Sequence, residues 1–296
     1  MHELLLARLR ADPSLRLARL RSDPDSSLLA AFRPGHRTPC WLARVSCHTA
    51  GRLRLRRNQE ALRHLAPLAH ALRVPAVLDW HDNGEATCLI ESGLPGWPGN
   101  TAPRPEHVQI AWAWLQSFQS GTPVPVPGPG RDASESELAA PLLRHLGGLP
   151  VETSAPVAVH GDFWWGNLLW DGLRLAVVDW NGLRRGTPLE DLFTLVFRLP
   201  GTRAAGPEGR LRVLREVFFE PGPMAQLVRR LALQTVGDRA AAGAAFYRFL
   251  HHRLRWELGL EWQPRSPREC GKAREEWTVM LRWLVIQRFP NPFVRD

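Results

Sequence analysis

The sequence predicts an α+β fold in two lobes: a small β-rich lobe first, then a larger, mainly helical one. Three observations carry this. Alternating apolar and polar segments with hairpin turn signals occupy much of residues 38–92. A Gly/Pro-rich stretch, Gly93–Pro105, then interrupts the pattern. From about Pro188 onward Trp and Leu recur at helical spacing, as in "FYRFLHHRLRWELGLEW" and "EEWTVMLRWLVIQRF". The expected division is a lobe over residues 1–92, with a helical N-terminal extension, and a second over 93–296, hinged near 89–96.

In chain order, "LARLRADP" at Leu6–Pro13 returns as "LARLRSDP" at Leu17–Pro24. Two copies are too few for a solenoid, and each reads as a short amphipathic helix ending near its Pro. "TPCWLARVSCHTAGRLRLRR", Thr38–Arg57, reads as a β-hairpin turning at His48–Gly51. "NQEALRHLAPLAHALR" follows as a helix with Leu62, Leu65, Leu68 and Leu72 on one face, bent or restarted at Pro67. "VPAVLDWHDNGEATCLIES" gives two more strands around a turn at Asp82–Gly84. A helix resumes at "EHVQIAWAWLQSFQS". Gly121–Asp132 is an extended, Pro-rich connector, and "ESELAAPLLRHLGGL" is a short helix.

Charge narrows the partners. The formal net charge is +9, and Lys272 is the only lysine, so the positive charge is almost all arginine. These arginines are spread along the whole chain, which argues against a nucleic-acid partner. Cys40, Cys47, Cys88 and Cys270 form no C-x-x-C pair and suit no zinc site. No stretch approaches the ~20 apolar residues of a membrane span, and the apolar start "MHELLLARLR" is broken by Arg8. The expectation is a soluble cytoplasmic protein with no membrane partner.

The chemistry sits in "PVAVHGDFWWGNLLWDGLRLAVVDW", Pro156–Trp180. Polar residues His160, Asp162, Asn167 and Asp179 interrupt runs that otherwise belong in a core. Asp171–Gly172 is a two-residue hairpin signal, and folding there returns Asp179 to Asn167. Asp162 lies on the same loop as Asn167. Two carboxylates and an amide at one sheet rim suit phosphoryl transfer. That reaction needs hard oxygen ligands for Mg²⁺ and a carboxylate to accept the proton of the attacking hydroxyl. Asp162 is the candidate base; Asn167 and Asp179 are the candidate metal ligands. His160 reads as a structural histidine bonding to loop backbone. The tryptophans at 164, 165, 170 and 180 read as core or cleft wall.

These residues resemble the aminoglycoside phosphotransferase and choline kinase group. Its pattern is His-Gly-Asp, four residues, Asn, then an apolar hairpin ending Asp-Trp. "GTPLEDL", Gly186–Leu192, is similar to a further element of that group, with Asp191 at the place of its structural Asp. The resemblance implies a protein-kinase-like two-lobe fold, ATP and Mg²⁺ as cofactors, and a small-molecule hydroxyl acceptor. It implies that Asp162 is the catalytic base and that Asn167 and Asp179 hold magnesium. It also implies a cation on the third strand of the small lobe to meet the phosphates, and a hinge whose backbone meets the adenine, here Glu91–Gly93. The usual lysine is absent. On "GRLRLRR", read as that strand, Arg56 is the choice for the phosphates, with Arg54 the alternative and Glu60 the partner. Gly35 is the only glycine available for a phosphate-covering loop. The acids of the C-terminal half, such as Glu190, Glu216, Glu220 and Glu257, lie among arginines, so no acidic pocket for an aminoglycoside stands out. The acceptor stays open among aminoglycosides, sugars and amino alcohols. The alternative function is a non-catalytic nucleotide- or ligand-binding pseudokinase on the same fold.

Overall fold

The fold is described from a computed structural model, covering residues 10–23, 26–98, 103–124, 136–150, 154–172, 174–199, 206–260 and 267–294. The elements in chain order are β1 Arg16–Asp23, β2 Ser26–Phe32, β3 Trp41–Ser46, α1 Thr49–Leu65, α2 Ala69–Leu72, β4 Val77–Asp82, β5 Thr87–Ser92 and β6 Trp97–Pro98. Then come α3 Pro105–Gly121, α4 Ala140–Leu146, β7 Val157–Val159, β8 Leu168–Trp170, β9 Leu175–Val177 and β10 Arg184–Gly186. The chain closes with α5 Glu190–Phe197, α6 Gly206–Leu214, α7 Pro223–Val236, α8 Arg239–Glu257 and α9 Pro267–Ile286.

The chain divides into two compact units. The first is Met1–Gly99 with Gly166–Leu183; the second is Asn100–Trp165 with Arg184–Asp296. In the first unit five antiparallel strands run in the order β1-β2-β3-β5-β4, and β6, β8 and β9 form a small second sheet. Period-2 alternation sorts β3 and β5: Trp41, Ala43, Val45, Cys88 and Ile90 build one apolar cluster with Ala31. The opposite face carries Leu42, Arg44, Leu89 and Glu91, with Arg44 opposite Leu89 and Leu42 opposite Glu91. The β4–β5 hairpin turns at Gly84, whose φ is +87°. The break at Pro67 is a short 3₁₀ turn, Ala66–Leu68, between α1 and α2.

Two segments fold otherwise than their pattern suggests. Leu17–Asp23, expected as a helix, lies in β1, an edge strand whose partner is β2. Residues 6–9, half of the first echoed copy, fall outside the described residues. "GRLRLRR", expected as a strand, lies in α1. The Leu–Arg alternation satisfies both periods. What decides is the wider face, on which Leu55, Asn58, Ala61, Leu62 and Leu65 are buried together. Arg54 and Arg56, expected on the third strand, therefore lie on a helix. Gly35 (φ +78°), the glycine expected in a phosphate-covering loop, lies between β2 and β3. Most of the expected connector Gly121–Asp132, and residues 99–102 of the expected lobe boundary, fall outside the described residues.

The second unit is mainly helical, with β7 and β10 as a two-stranded ladder. All eight side chains of α5 are buried. Phe193 and Phe197 on this helix meet Phe218, Phe246, Phe249, Phe293 and Trp277 with ring centroids 5.6–6.0 Å apart. Among the described residues no helix is long and apolar enough to cross a membrane. All four cysteines are free thiols.

Candidate functional site

In the first unit the polar network starts at Arg44, the one charged side chain of β3. Its Nε donates to Glu91 Oε1 at 2.9 Å. Glu91 is fully buried on β5, and its Oε2 also accepts from Asn58 Nδ2 of α1 at 3.2 Å. Asn58 Oδ1 accepts the N–H of Trp180 at 2.7 Å, which ties the chain just after β9 to α1. One residue earlier stands Asp179, with φ +66° in the left-handed region that aspartate tolerates better than most side chains. Its Oδ1 accepts from Asn181 at 2.7 Å and lies 3.9 Å from Arg44 Nη1. The β8–β9 pairing holds Asn167 at the same hairpin end, since Val178 N–H donates to its carbonyl at 3.0 Å. Arg44 thus links a buried counter-ion to a half-exposed aspartate.

The expected phosphate contacts sit elsewhere in this unit. Arg56 Nε donates to Asp82 at 2.6 Å, and Arg52 lies 3.5 Å from the same carboxylate. Glu60 is exposed on α1, and the partner Arg56 takes is Asp82. Arg54 carries a buried Nε without a partner among the described residues. Glu91, expected at an adenine-binding hinge, has its side chain committed to Arg44 and Asn58 and its backbone in the ladder between β3 and β4. Gly93 donates its N–H to Cys40 O at 3.0 Å. A Cβ on Gly93 would come within 1.7 Å of Pro39 O, so the close approach of the two backbones explains the glycine. Arg44 was legible only as a lone charge in an alternating strand. Asn58 carried no signal of its own.

In the second unit β7 leads into His160–Gly161–Asp162. The turn requires φ +79° at Gly161. Asp191, fully buried at the start of α5, accepts the N–H groups of His160 at 2.6 Å and Gly161 at 3.0 Å. It is the loop-fixing acceptor that its position in "GTPLEDL" implies. His160 is fully buried, and its Nδ1 accepts the N–H of Asp162 at 3.2 Å. The Asp162 carboxylate meets two guanidinium groups: Oδ1 accepts from Arg198 Nη1 and, at 3.3 Å, from Arg253 Nη1. Burial pushes the Asp162 pKa up, but Arg198, Arg253 and His160 more than offset this and hold it below the ordinary aspartate value. Neither arginine stands out in the sequence, because each lies in a helical pattern far from the motif.

Asp191 titrates differently. Burial, with neighbouring Glu190, pushes its pKa up to about 7 against the pull of the two backbone donors. The folded state therefore keeps a proton that the unfolded chain releases near ~3.9. This contribution to stability is whole below that lower value and is lost as pH rises through about 7. The urea midpoint should fall from pH 5 to pH 8, and Asp191→Asn should flatten that fall. An unchanged slope in the variant would assign the effect to another group.

The donors available for a metal are hard oxygens. Among the described residues no three His, Cys, Asp or Glu side chains cluster as a metal cage. Magnesium needs none, because it takes one or two protein oxygens and fills the rest with phosphate and water. The Asp179 carboxylate and Asn167 amide, brought to one hairpin end, fit that requirement.

Three comparisons bear on this arrangement. The family description "Phosphotransferase enzyme family" matches residues 127–227. No curated protein sequence matches the chain. Solved structures similar in fold include an aminoglycoside-3′-phosphotransferase of type VIII, 18% identical, with TM-score 0.55 over 85% of this chain and 98% of that one. A choline kinase from Cryptosporidium parvum Iowa II is 12% identical, with TM-score 0.55 over 99% of both chains. An amicoumacin kinase, solved with AMP-PNP, Ca²⁺ and Ami, is 13% identical, with TM-score 0.54 over 94% of this chain and 96% of that one. The resemblance read from His160–Trp180 is the one these comparisons return: the chain has the kinase-like fold of the aminoglycoside phosphotransferases and choline kinase, and residues 127–227 match the phosphotransferase family.

Proposed function

We propose that the chain is an ATP-dependent phosphotransferase acting on a hydroxyl group of a small molecule. The observation that carries this reading is the Arg44–Asp179 pair, 3.9 Å apart, with Glu91 behind Arg44 and Asn167 at the same hairpin end as Asp179. It supplies one cation for phosphate oxygens and two oxygen donors for a metal. Magnesium, when bound by Asp179 and Asn167, neutralises the charge of the phosphates and orients them. Arg44 stands on β3 where the related fold uses lysine, and its planar fork offers phosphate two parallel donors. Glu91, itself held by Asn58, fixes its direction, so little side-chain freedom is lost on binding. In the second unit Asp162 accepts the hydroxyl proton, and Asp191 holds the turn that carries it. Arg56, engaged by Asp82, is replaced in this reading by Arg44.

Arg44→Met should raise the KM for ATP about 10–100-fold, the loss of a charge-assisted hydrogen bond, while Arg44→Lys keeps part of the affinity. Steady-state kinetics, or thermal shift with Mg·ATP, measures this. If Arg56→Met weakens ATP binding and Arg44→Met does not, the assignment to Arg44 fails. A second reading has its own observation: the two guanidinium groups on Asp162 lower its basicity, as in a binding module without turnover. Mg·ATP binding with no ADP release in the presence of any hydroxyl acceptor would favour it.

A further inference from the structure

We propose that the acceptor carries an anionic group, a carboxylate or a phosphate, bound by Arg198 and Arg253; this rests on the phosphotransferase reading and names its acceptor class. Three arginines from three parts of the second unit converge there: Arg198 just after α5, Arg210 on α6 and Arg253 on α8. Arg210 donates to Glu257 at 2.7 Å and to Glu276 at 3.0 Å. Arg253 Nε donates to Glu257 at 2.8 Å, and Trp277 Nε1 completes that carboxylate at 2.8 Å. Lys272 lies 3.9 Å from Glu276 at the outer edge. The three arginines and the two glutamates are each at most 7% exposed. Asp162 is the open member, with 17% of its side chain exposed. Solvent therefore reaches the cluster at the proposed base, as it does at Lys272 on the outer edge.

Two features point to a missing acceptor of hydrogen bonds. Arg253 Nη2 is buried with no partner among the described residues. Buried guanidinium donors are normally satisfied. Arg253 is also held flat, its guanidinium carbon 3.9 Å from the Trp256 ring centroid, as Arg198 is 4.3 Å from that of Trp164. The second feature is the chemistry itself. During transfer the acceptor O–H bond breaks and its proton passes to Asp162. The oxygen then bonds the γ-phosphorus, and ADP leaves with the bridging oxygen. Once protonated, Asp162 no longer balances Arg198 and Arg253, and uncompensated buried charge is strongly unfavourable. An anionic group on the acceptor restores the balance. An ammonium group would add a further positive charge beside two guanidinium groups.

The test uses one diol with four end groups: D-glycerate, glycerol 3-phosphate, glycerol and 3-amino-1,2-propanediol. Each is titrated against the full chain by thermal shift, with and without saturating Mg·AMP-PNP. At least one of the two anions should bind tenfold or more tightly than glycerol, with the amine weakest. Which anion leads separates a carboxylate from a phosphate acceptor. Arg253→Gln should remove the preference. Arg198→Gln, which leaves Glu257 with both its arginines, repeats the test if the first variant does not fold. Equal binding of glycerol and both anions, tighter binding of the amine, or an anion preference that survives in a folded variant overturns the proposal. Absence of any Mg·AMP-PNP effect counts against the phosphotransferase reading alone, because the anion titration without nucleotide is read separately.

Discussion

Asp162→Asn should lower kcat by about 10²–10⁴-fold, the usual contribution of a positioned general base, and leave Mg·ATP binding intact. The amide keeps the shape of the carboxylate and can still accept from Arg198 and Arg253. It cannot take a proton from the acceptor hydroxyl. Because Asp191 fixes the backbone of His160 and Gly161 independently, the turn keeps its place in the variant. Single-turnover measurements with saturating ATP separate the chemical step from binding. A variant with full turnover would remove Asp162 from the role of base. The same variant tests the charge argument from the other side. With the carboxylate gone, an anionic ligand should bind more tightly than to the parent chain.

Glu257→Gln should be the most destabilising conservative change in the second unit. Glu257 is 4% exposed and accepts from Arg210, Arg253 and Trp277 at once. Removing its charge leaves Arg210 with Glu276 alone and Arg253 with Asp162 alone, and breaking a buried ion pair costs about 3–5 kcal/mol. At ~2–4 °C per kcal/mol for a domain of this size, the thermal midpoint falls by about 10 °C. Burial pushes the Glu257 pKa up, but Arg210 and Arg253 outweigh it and hold it far below the ordinary glutamate value. A depressed folded pKa gives stability that is present above the unfolded value of about 4.3. It is lost as pH falls through the folded one. Glu257→Gln should therefore reduce acid sensitivity below about pH 4 while lowering stability at neutral pH. An unchanged midpoint at neutral pH would mean that Glu276 and Asp162 suffice as counter-ions for the two arginines.

The apolar hairpin ending in Asp179 and Trp180, the Gly161 turn and the helical C-terminal half were legible because each depends on local rules of turn chemistry and periodicity. The two Leu–Arg alternations were not, and they failed in opposite directions. "LARLRSD" became an edge strand because β2 offers it a partner. "RLRLRR" became helix because Leu55, Asn58 and Leu62 extend one buried face. That single reassignment is why the proposed phosphate cation is Arg44 rather than Arg56. The site arginines 198 and 253 were invisible for a different reason: each meets Asp162 through tertiary packing across 36 and 91 residues of chain.

The first unit takes Gly166–Leu183 from the far side of a long stretch that belongs to the second. Synthesis therefore leaves it unfinished. Between Gly99 and Leu183 the ribosome spends roughly 4–17 s at ~5–20 residues per second. For most of that interval Asn58 Oδ1 lacks the Trp180 N–H and the small sheet lacks two of its three strands. A nascent chain halted at residue 99 should be protease-sensitive, and one released at residue 183 should protect its five-stranded sheet.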